Sequence, residues 1–200
     1  MYRSLTLAVL LLFIAAPSPG TRTAAAEPQA TTTAPARLLR FPDIHGDMIA
    51  FVYAGDIWTV PAEGGTARRL TSHPGIELFP KFSPDGRWIA FSGEYNGTRQ
   101  VFVISVDGGE ARQLTYRNDV GPLPPRGGWD NIVYGWTPDG KYILFRANRV
   151  PQSNRLGRPH LVPFEGGQEE PLPIMEGGAA SYSPDGTRLA YTPISNEFRG

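Results

Sequence analysis

Short apolar runs of strand length recur along the chain, each released by a polar turn: "MIAFVY" at 48 to 53, then "WIAF", "YILF" and "RLAY" starting at Trp88, Tyr142 and Arg188. The first three are apolar at consecutive positions, as in a strand covered by neighbours on both faces. The turn before three of them is nearly constant. Ser83-Pro84-Asp85-Gly86, Thr137-Pro138-Asp139-Gly140 and Ser183-Pro184-Asp185-Gly186 each suit a type I β-turn. The hydroxyl residue fits position i, proline fixes φ at i+1, aspartate is tolerated at i+2 and glycine at i+3. A degenerate earlier copy, "DIHGDMIAFVY", sets Gly46 where the turn glycine falls.

A second signal trails the first three copies. The stretches 56 to 70, 100 to 114 and 159 to 172 each contain a strand, a pair of glycines and another short segment. Paired glycines reach positive φ without steric cost and can close a hairpin, and Asn96-Gly97 is a further hairpin signal. Each copy therefore predicts a four-stranded meander, with strands in the second at roughly 77 to 83, 88 to 93, 100 to 106 and 111 to 115. The turn glycines lie 40, 54 and 46 residues apart. A period near ~40 to 50 with four strands per unit predicts an all-β fold, a β-propeller built of four-stranded blades. A β-sandwich would also take many short strands, but it does not predict recurrent turns at this period. About three and a half blades are present, an incomplete ring. The long interval and the third copy's inner hairpin carry "RNDVGPLPPRGGWDN" (117 to 131) and "RANRVPQSNRLGR" (146 to 158), which predict loops on the propeller faces.

The amino-terminal end follows a different pattern. An apolar run from Leu5 to Ala16 follows Arg3 and gives way to Pro17, Pro19, Gly20 and an A-x-A pattern at Ala24 and Ala26. It is shorter than the ~18 residues a membrane span requires, so residues 1 to 26 read as a cleaved signal peptide in preference to a retained anchor. Residues 27 to 36, "EPQATTTAPA", have linker composition, and 37 to 200 hold the partial propeller. Export to a periplasm or to the outside is expected, with no membrane span after cleavage. The chain has no cysteine, which excludes disulfides and Cys-ligated metals. Its 19 basic and 19 acidic residues balance, leaving no electrostatic footprint for nucleic acid.

Candidate chemistry is sparse. No G-x-S-x-G occurs, and Ser83 and Ser183 sit in the recurring turns, where a structural role outweighs a nucleophilic one. His45, His73 and His160 are the only histidines, and none has a partner at metal-ligand spacing. Asp85, Asp139 and Asp185 share one place in the turn, which explains all three without acid–base chemistry, and they are not a sialidase Asp-box. The glycine-rich stretches lie between strands, so they lack the helix a phosphate cradle needs. "NGT" at 96 to 98 matches a glycosylation acceptor but is better explained by its turn. Trp58, Trp88 and Trp136 fall in strands and predict core packing, whereas Trp129 lies in a loop and is undecided. No catalytic, cofactor-binding or metal residue is assigned, and no cofactor is expected.

"GDIWTVPAEGGTARRLTSHPG", the repeated "SPDG" units and "GWTPDGK" together resemble the amino-terminal, TolB-like propeller of tricorn protease and its bacterial homologues, from about Phe41 to Arg199. The turn motifs alone also occur in TolB and in propellers of prolyl oligopeptidase and dipeptidyl peptidase relatives; the order of "GDIW", "GG-A-RLT-HPG" and "GWTPDGK" is more specific. The resemblance implies a six-bladed first propeller, a second propeller, a PDZ domain and a carboxy-terminal serine peptidase core that degrades oligopeptides admitted or guided by the propellers. None of the family's catalytic residues maps onto this sequence. It further implies peptides or unfolded polypeptide as partners, with downstream blades and peptidase domains, or self-association, completing the ring. The alternatives are a non-catalytic TolB-like protein-binding propeller, or a propeller preceding an α/β-hydrolase peptidase. "PISNEFRG" at 193 to 200 is expected to lead into a further blade, which makes the chain part of a longer one.

Overall fold

The computed structural model describes residues 38–117, 131–149, 157–174 and 177–193. The expected signal peptide and linker, Trp129, most of both long loops and the run 194–200 lie outside them. Residues Ala36–Gly200 form one compact unit. Every regular element among the described residues is a strand: β1 (Arg40–His45), β2 (Met48–Tyr53), β3 (Asp56–Pro61), β4 (Arg68–Arg69), β5 (Glu77–Phe82), β6 (Trp88–Gly93), β7 (Gln100–Ser105), β8 (Arg112–Gln113), β9 (Ile132–Trp136), β10 (Tyr142–Ala147), β11 (Arg158–Pro163), β12 (Glu170–Pro171), β13 (Gly177–Tyr182) and β14 (Leu189–Pro193).

Consecutive strands pair antiparallel into three four-stranded sheets, β1 to β4, β5 to β8 and β9 to β12, followed by the two-stranded β13–β14. These are the three and a half blades of an unclosed propeller. The first strands β1, β5, β9 and β13 are neighbours from blade to blade, so they line the inside of the arc. Each is bonded to a second strand on one side only. The meander puts the S/T-P-D-G turns and the glycine pairs at one end of every blade, the turn face. The connections from second to third strand and the links between blades lie at the other end, the link face. Both long loops expected from sequence thus leave from the link face, as their described ends at Arg117, Asn131, Arg149 and Gly157 show.

Continuous burial of the middle strands follows from this stacking. All of β6 after Trp88 and all of β7 before Ser105 is buried, and Ile89, Ala90, Phe91, Val101 and Val103 have no exposed surface. One apolar layer joins the first and second blades around Ile57, Phe82, Phe91 and Ile104. Another joins the second and third around Val103, Val133, Trp136, Phe145 and Val162. A fully buried side chain of this size contributes roughly 1.5–3 kcal/mol. β14, which no described strand covers, is mostly exposed.

Two details differ from the expected meander. The outer strands are only two residues long, because the glycine-pair turn is a wide connection rather than a tight hairpin. Likewise Asn96-Gly97 lies inside a longer connection from β6 to β7, whereas Ala54-Gly55, both at positive φ, form the two-residue hairpin of the first blade. Each inner strand also carries a bulge, with the register shifting between Arg40 and Asp43 and between Leu78 and Lys81. There Phe41 and Phe79 adopt φ of 51° and 56°, and their rings meet at 4.3 Å.

Gly86 and Gly140 sit at one turn position with φ of 71° and 70°. A side chain at either is strained by ~1–2 kcal/mol through φ alone. At Gly86 a Cβ would also lie 2.4 Å from the His45 ring, whereas at Gly140 the nearest atom is at 3.8 Å. Gly86→Ala should therefore lower stability by about 1 kcal/mol more than Gly140→Ala, measured by urea unfolding, and His45→Ala should remove most of the difference.

Candidate functional site

The inner strands border a half-open hollow of about 460 Å³ lined by groups from all four blades. β1 contributes Asp43, β5 contributes Lys81 and Phe82, β9 contributes Tyr134 and Trp136, and β13 contributes Ser181 and Tyr182; Pro84, Pro138 and Pro184 of the turns close one end. Lys81 Nζ donates to Asp43 Oδ1 at 2.9 Å, and the Phe82 N–H donates to Asp43 Oδ2 at 2.8 Å. Trp136 Nε1–H donates to the Lys81 carbonyl at 2.9 Å. One polar chain thus runs from blade to blade along the inner wall. The wall offers one half-buried ion pair, aromatic and proline surfaces, hydroxyls and the unpaired edges of inner strands. Such a surface can hold an extended chain through main-chain hydrogen bonds.

The recurring turns consume their own functional groups. Ser83 Oγ donates to Asp85 Oδ1 at 2.6 Å and accepts from the Trp88 N–H at 3.0 Å. Asp85 Oδ1 also accepts from the Arg87 N–H, and Arg87 Nε from its side chain reaches Oδ2 at 2.7 Å. Thr137–Asp139–Lys141 and Ser183–Asp185–Thr187 repeat the network. The Ser83 hydroxyl, then the Arg87 backbone and side chain, hold the Asp85 carboxyl down to about 2. Thr137 and Ser183 act in the same direction on Asp139 and Asp185. The hydroxyl of Ser83 or Ser183 therefore faces a carboxylate, with no histidine in its network.

The histidines lie apart. His45 packs on Phe82 with ring centroids 6.0 Å apart. His73 stacks on Tyr95 at 3.8 Å while its Nδ1 accepts from the Gly75 N–H. His160 is buried opposite Phe145, at the register position that Trp58 fills against Phe51 and Phe102 against Phe91. It fills the aromatic position of the third strand in that blade, and burial pushes its pKa below the ordinary value. Among the described residues no group of three or more His, Cys, Asp or Glu could hold a metal ion. Trp136 is buried; Trp88, half-buried, packs on Phe164 at 5.2 Å, and Trp58 meets Tyr53 edge-on at 6.0 Å.

Sequence reasoning missed the polar seams between blades at the link face. After its last strand the chain runs on through Leu70-Thr71 or Leu114-Thr115, and the threonine hydroxyl accepts from the Ile57 or Val101 N–H at 2.8 or 2.9 Å. Thr71 then donates to Glu77 Oε2, the first residue of the next blade, at 2.9 Å. Thr115 donates to Gln100 Oε1 at 2.7 Å, and Asn131 Nδ2 reaches the same oxygen at 3.4 Å. Beside the second seam Glu169 binds Arg149 through both oxygens at 2.5 and 2.8 Å and Arg117 at 3.0 Å. Burial alone would raise the Glu169 carboxyl; the two guanidinium groups hold it below its ordinary value. The repeated "RLT" and "QLT" were the available signal, unread because threonine is unremarkable at a strand end.

The model of the tricorn protease N-terminal beta propeller domain matches residues 36–200. Tricorn protease homolog 1 of Streptomyces coelicolor is 32% identical over 162 residues, 80% of this chain and 14% of that protein. The crystal structure of the tricorn protease superposes with a TM-score of 0.62 at 27% identity, over 73% of this chain and 14% of that one. TolB from Acinetobacter baumannii superposes with a TM-score of 0.61 at 23% identity, over 76% of this chain and 36% of that one, a likeness of fold. The chain thus spans about a seventh of the length of the tricorn proteins it matches.

Lowered carboxyl pKa values add stability that is present above the unfolded value near 3.8 and lost as pH falls toward 2. Asp85→Asn should therefore reduce stability at pH 6 and flatten the decline between pH 4 and pH 2, read from thermal melts across that range.

Proposed function

The chain belongs to the tricorn protease N-terminal β-propeller family, and from that premise we propose that it is the exported propeller segment of a longer tricorn-like serine peptidase. In this reading the parent protein degrades oligopeptides, and the propeller admits or guides them toward a peptidase core that this sequence does not contain. The observation that carries it is the inner hollow. Unpaired edges of β9 and β13, the Tyr134 ring and the Ser181 hydroxyl border a space of about 460 Å³ suited to an extended peptide. Its mixed lining favours passage over tight capture, since few converging charges would fix a ligand.

A second reading, a TolB-like propeller that binds protein without catalysis, draws on the TolB likeness of fold. The two differ in the native product. Blotting cell fractions with an antibody against residues 76 to 116 should detect an exported band several-fold larger than this 200-residue chain. A native product of about this chain's own size would favour the binding reading.

Residues 27 to 200 expressed alone should cleave no unstructured peptide above background. Robust cleavage lost on Ser83→Ala or Ser183→Ala would overturn the assignment of the propeller as a guide. In the longer parent protein, Lys81→Glu places a carboxylate beside Asp43 in the hollow. It should lower kcat/KM for long peptides severalfold while leaving that for short chromogenic substrates unchanged.

A further inference from the structure

We propose that Glu77 is a proton-operated latch between the first and second blades: uncharged, it seals the link-face seam, and on ionising it loosens that seam while leaving the next one closed. Glu77 begins β5, and its N–H donates to the Gly55 carbonyl of the first blade at 2.8 Å. Its side chain has no exposed surface. Thr71 satisfies Oε2, whereas Oε1 is buried without a well-formed hydrogen bond, with the Tyr95 hydroxyl directed at the carboxyl as a second donor.

Every packed element contributes to the balance around this carboxyl. From β3 comes Asp56, buried and of like charge. From β4 comes Arg69, whose guanidinium is bound to Asp56 Oδ2 at 2.8 Å and to the Thr71 carbonyl at 2.9 Å. The blade-to-blade link brings His73, stacked on Tyr95. The connection from β6 to β7 brings Tyr95 and Glu94, the latter paired with Arg99. Two carboxyls therefore share one guanidinium, which is committed to Asp56. A buried carboxylate without its own counter-ion is costly, and protonation removes that cost. Burial is the main influence, and it pushes the Glu77 carboxyl up to about 7.

The second seam supplies the contrast. There Gln100 and Asn131 stand where Asp56 and Glu77 stand in the first, around Thr115 in place of Thr71. Neutral amides fill that seam; Arg149, which donates to Asn131 Oδ1 at 2.7 Å, is paired with Glu169, whose carboxyl is held below its ordinary value and so stays ionised from pH 5.5 to 8. Because the Glu77 pKa in the fold lies above the unfolded value near 4.5, its stabilisation is fully present below 4.5 and disappears as pH rises through about 7.

Amide hydrogen exchange of the full chain, corrected for intrinsic chemical rates, tests this directly. Between pH 5.5 and pH 8 the opening equilibrium at the Ile57 and Glu77 amides should increase on the order of tenfold, while Val101 in the neutral seam stays constant. Glu77→Gln should abolish the increase, and Asp56→Asn should move its midpoint to lower pH. An equal response at Ile57 and Val101, or an unchanged pH dependence in Glu77→Gln, would overturn the latch. Should Glu77→Gln fail to fold, carboxyl carbon NMR of the wild-type chain decides: titration near 7 supports the latch, and titration near 4.5 overturns it.

Discussion

A four-stranded sheet whose three longer strands run only five or six residues buries little unless both of its faces are covered, so each blade depends on the blade beside it. That dependence explains why the middle strands carry consecutive apolar runs, such as 89–91, 101–104 and 143–145, instead of alternating. It also explains the small residue at Ala50 and Ala90 beside the large one at Phe51 and Phe91, which lets adjacent sheets approach while an aromatic fills the gap. The chain must then cross from the outer strand of one blade to the inner strand of the next at the end where the backbone leaves its ladder. Thr71 and Thr115 complete the ladder there with side-chain oxygens, because a buried Ile57 or Val101 N–H left unpaired would cost about 1–3 kcal/mol.

The architecture was legible because its two strongest signals are local. The S/T-P-D-G turn and the glycine pair fix backbone geometry through residue identity alone, and the observed positive φ at Gly86, Gly140, Gly186, Gly64 and Gly108 is what glycine permits. Strand boundaries in the second blade follow within a residue or two for the same reason. The outer strands were legible only in position, since their length depends on how far a glycine-pair turn opens. The bulges were not read, although Phe41-Pro42 and Phe79-Pro80 repeat the same pair, because a bulge is defined against a partner strand. The seams were least legible. Asp56, Thr71 and Glu77 belong to no periodic pattern, and their relation appears only once two blades are stacked.

The inner wall divides the arc in an informative way. Pro42 and Pro80 fall at the bulges of β1 and β5, where a missing N–H and a local kink discourage any added strand. The bulge of β9 carries Tyr134 and that of β13 carries alanine, so these edges keep their donors. Under the proposed reading, an extended chain running along the wall would find main-chain partners on the third and fourth blades and a surface whose edges discourage pairing on the first two. Lys81 and Asp43 add to that surface an ion pair already satisfied within the wall. A passage paired along its whole length would hold a peptide as an added strand and release it slowly. Pairing on part of the wall would orient a chain while leaving it free to move, as the proposed guiding role requires.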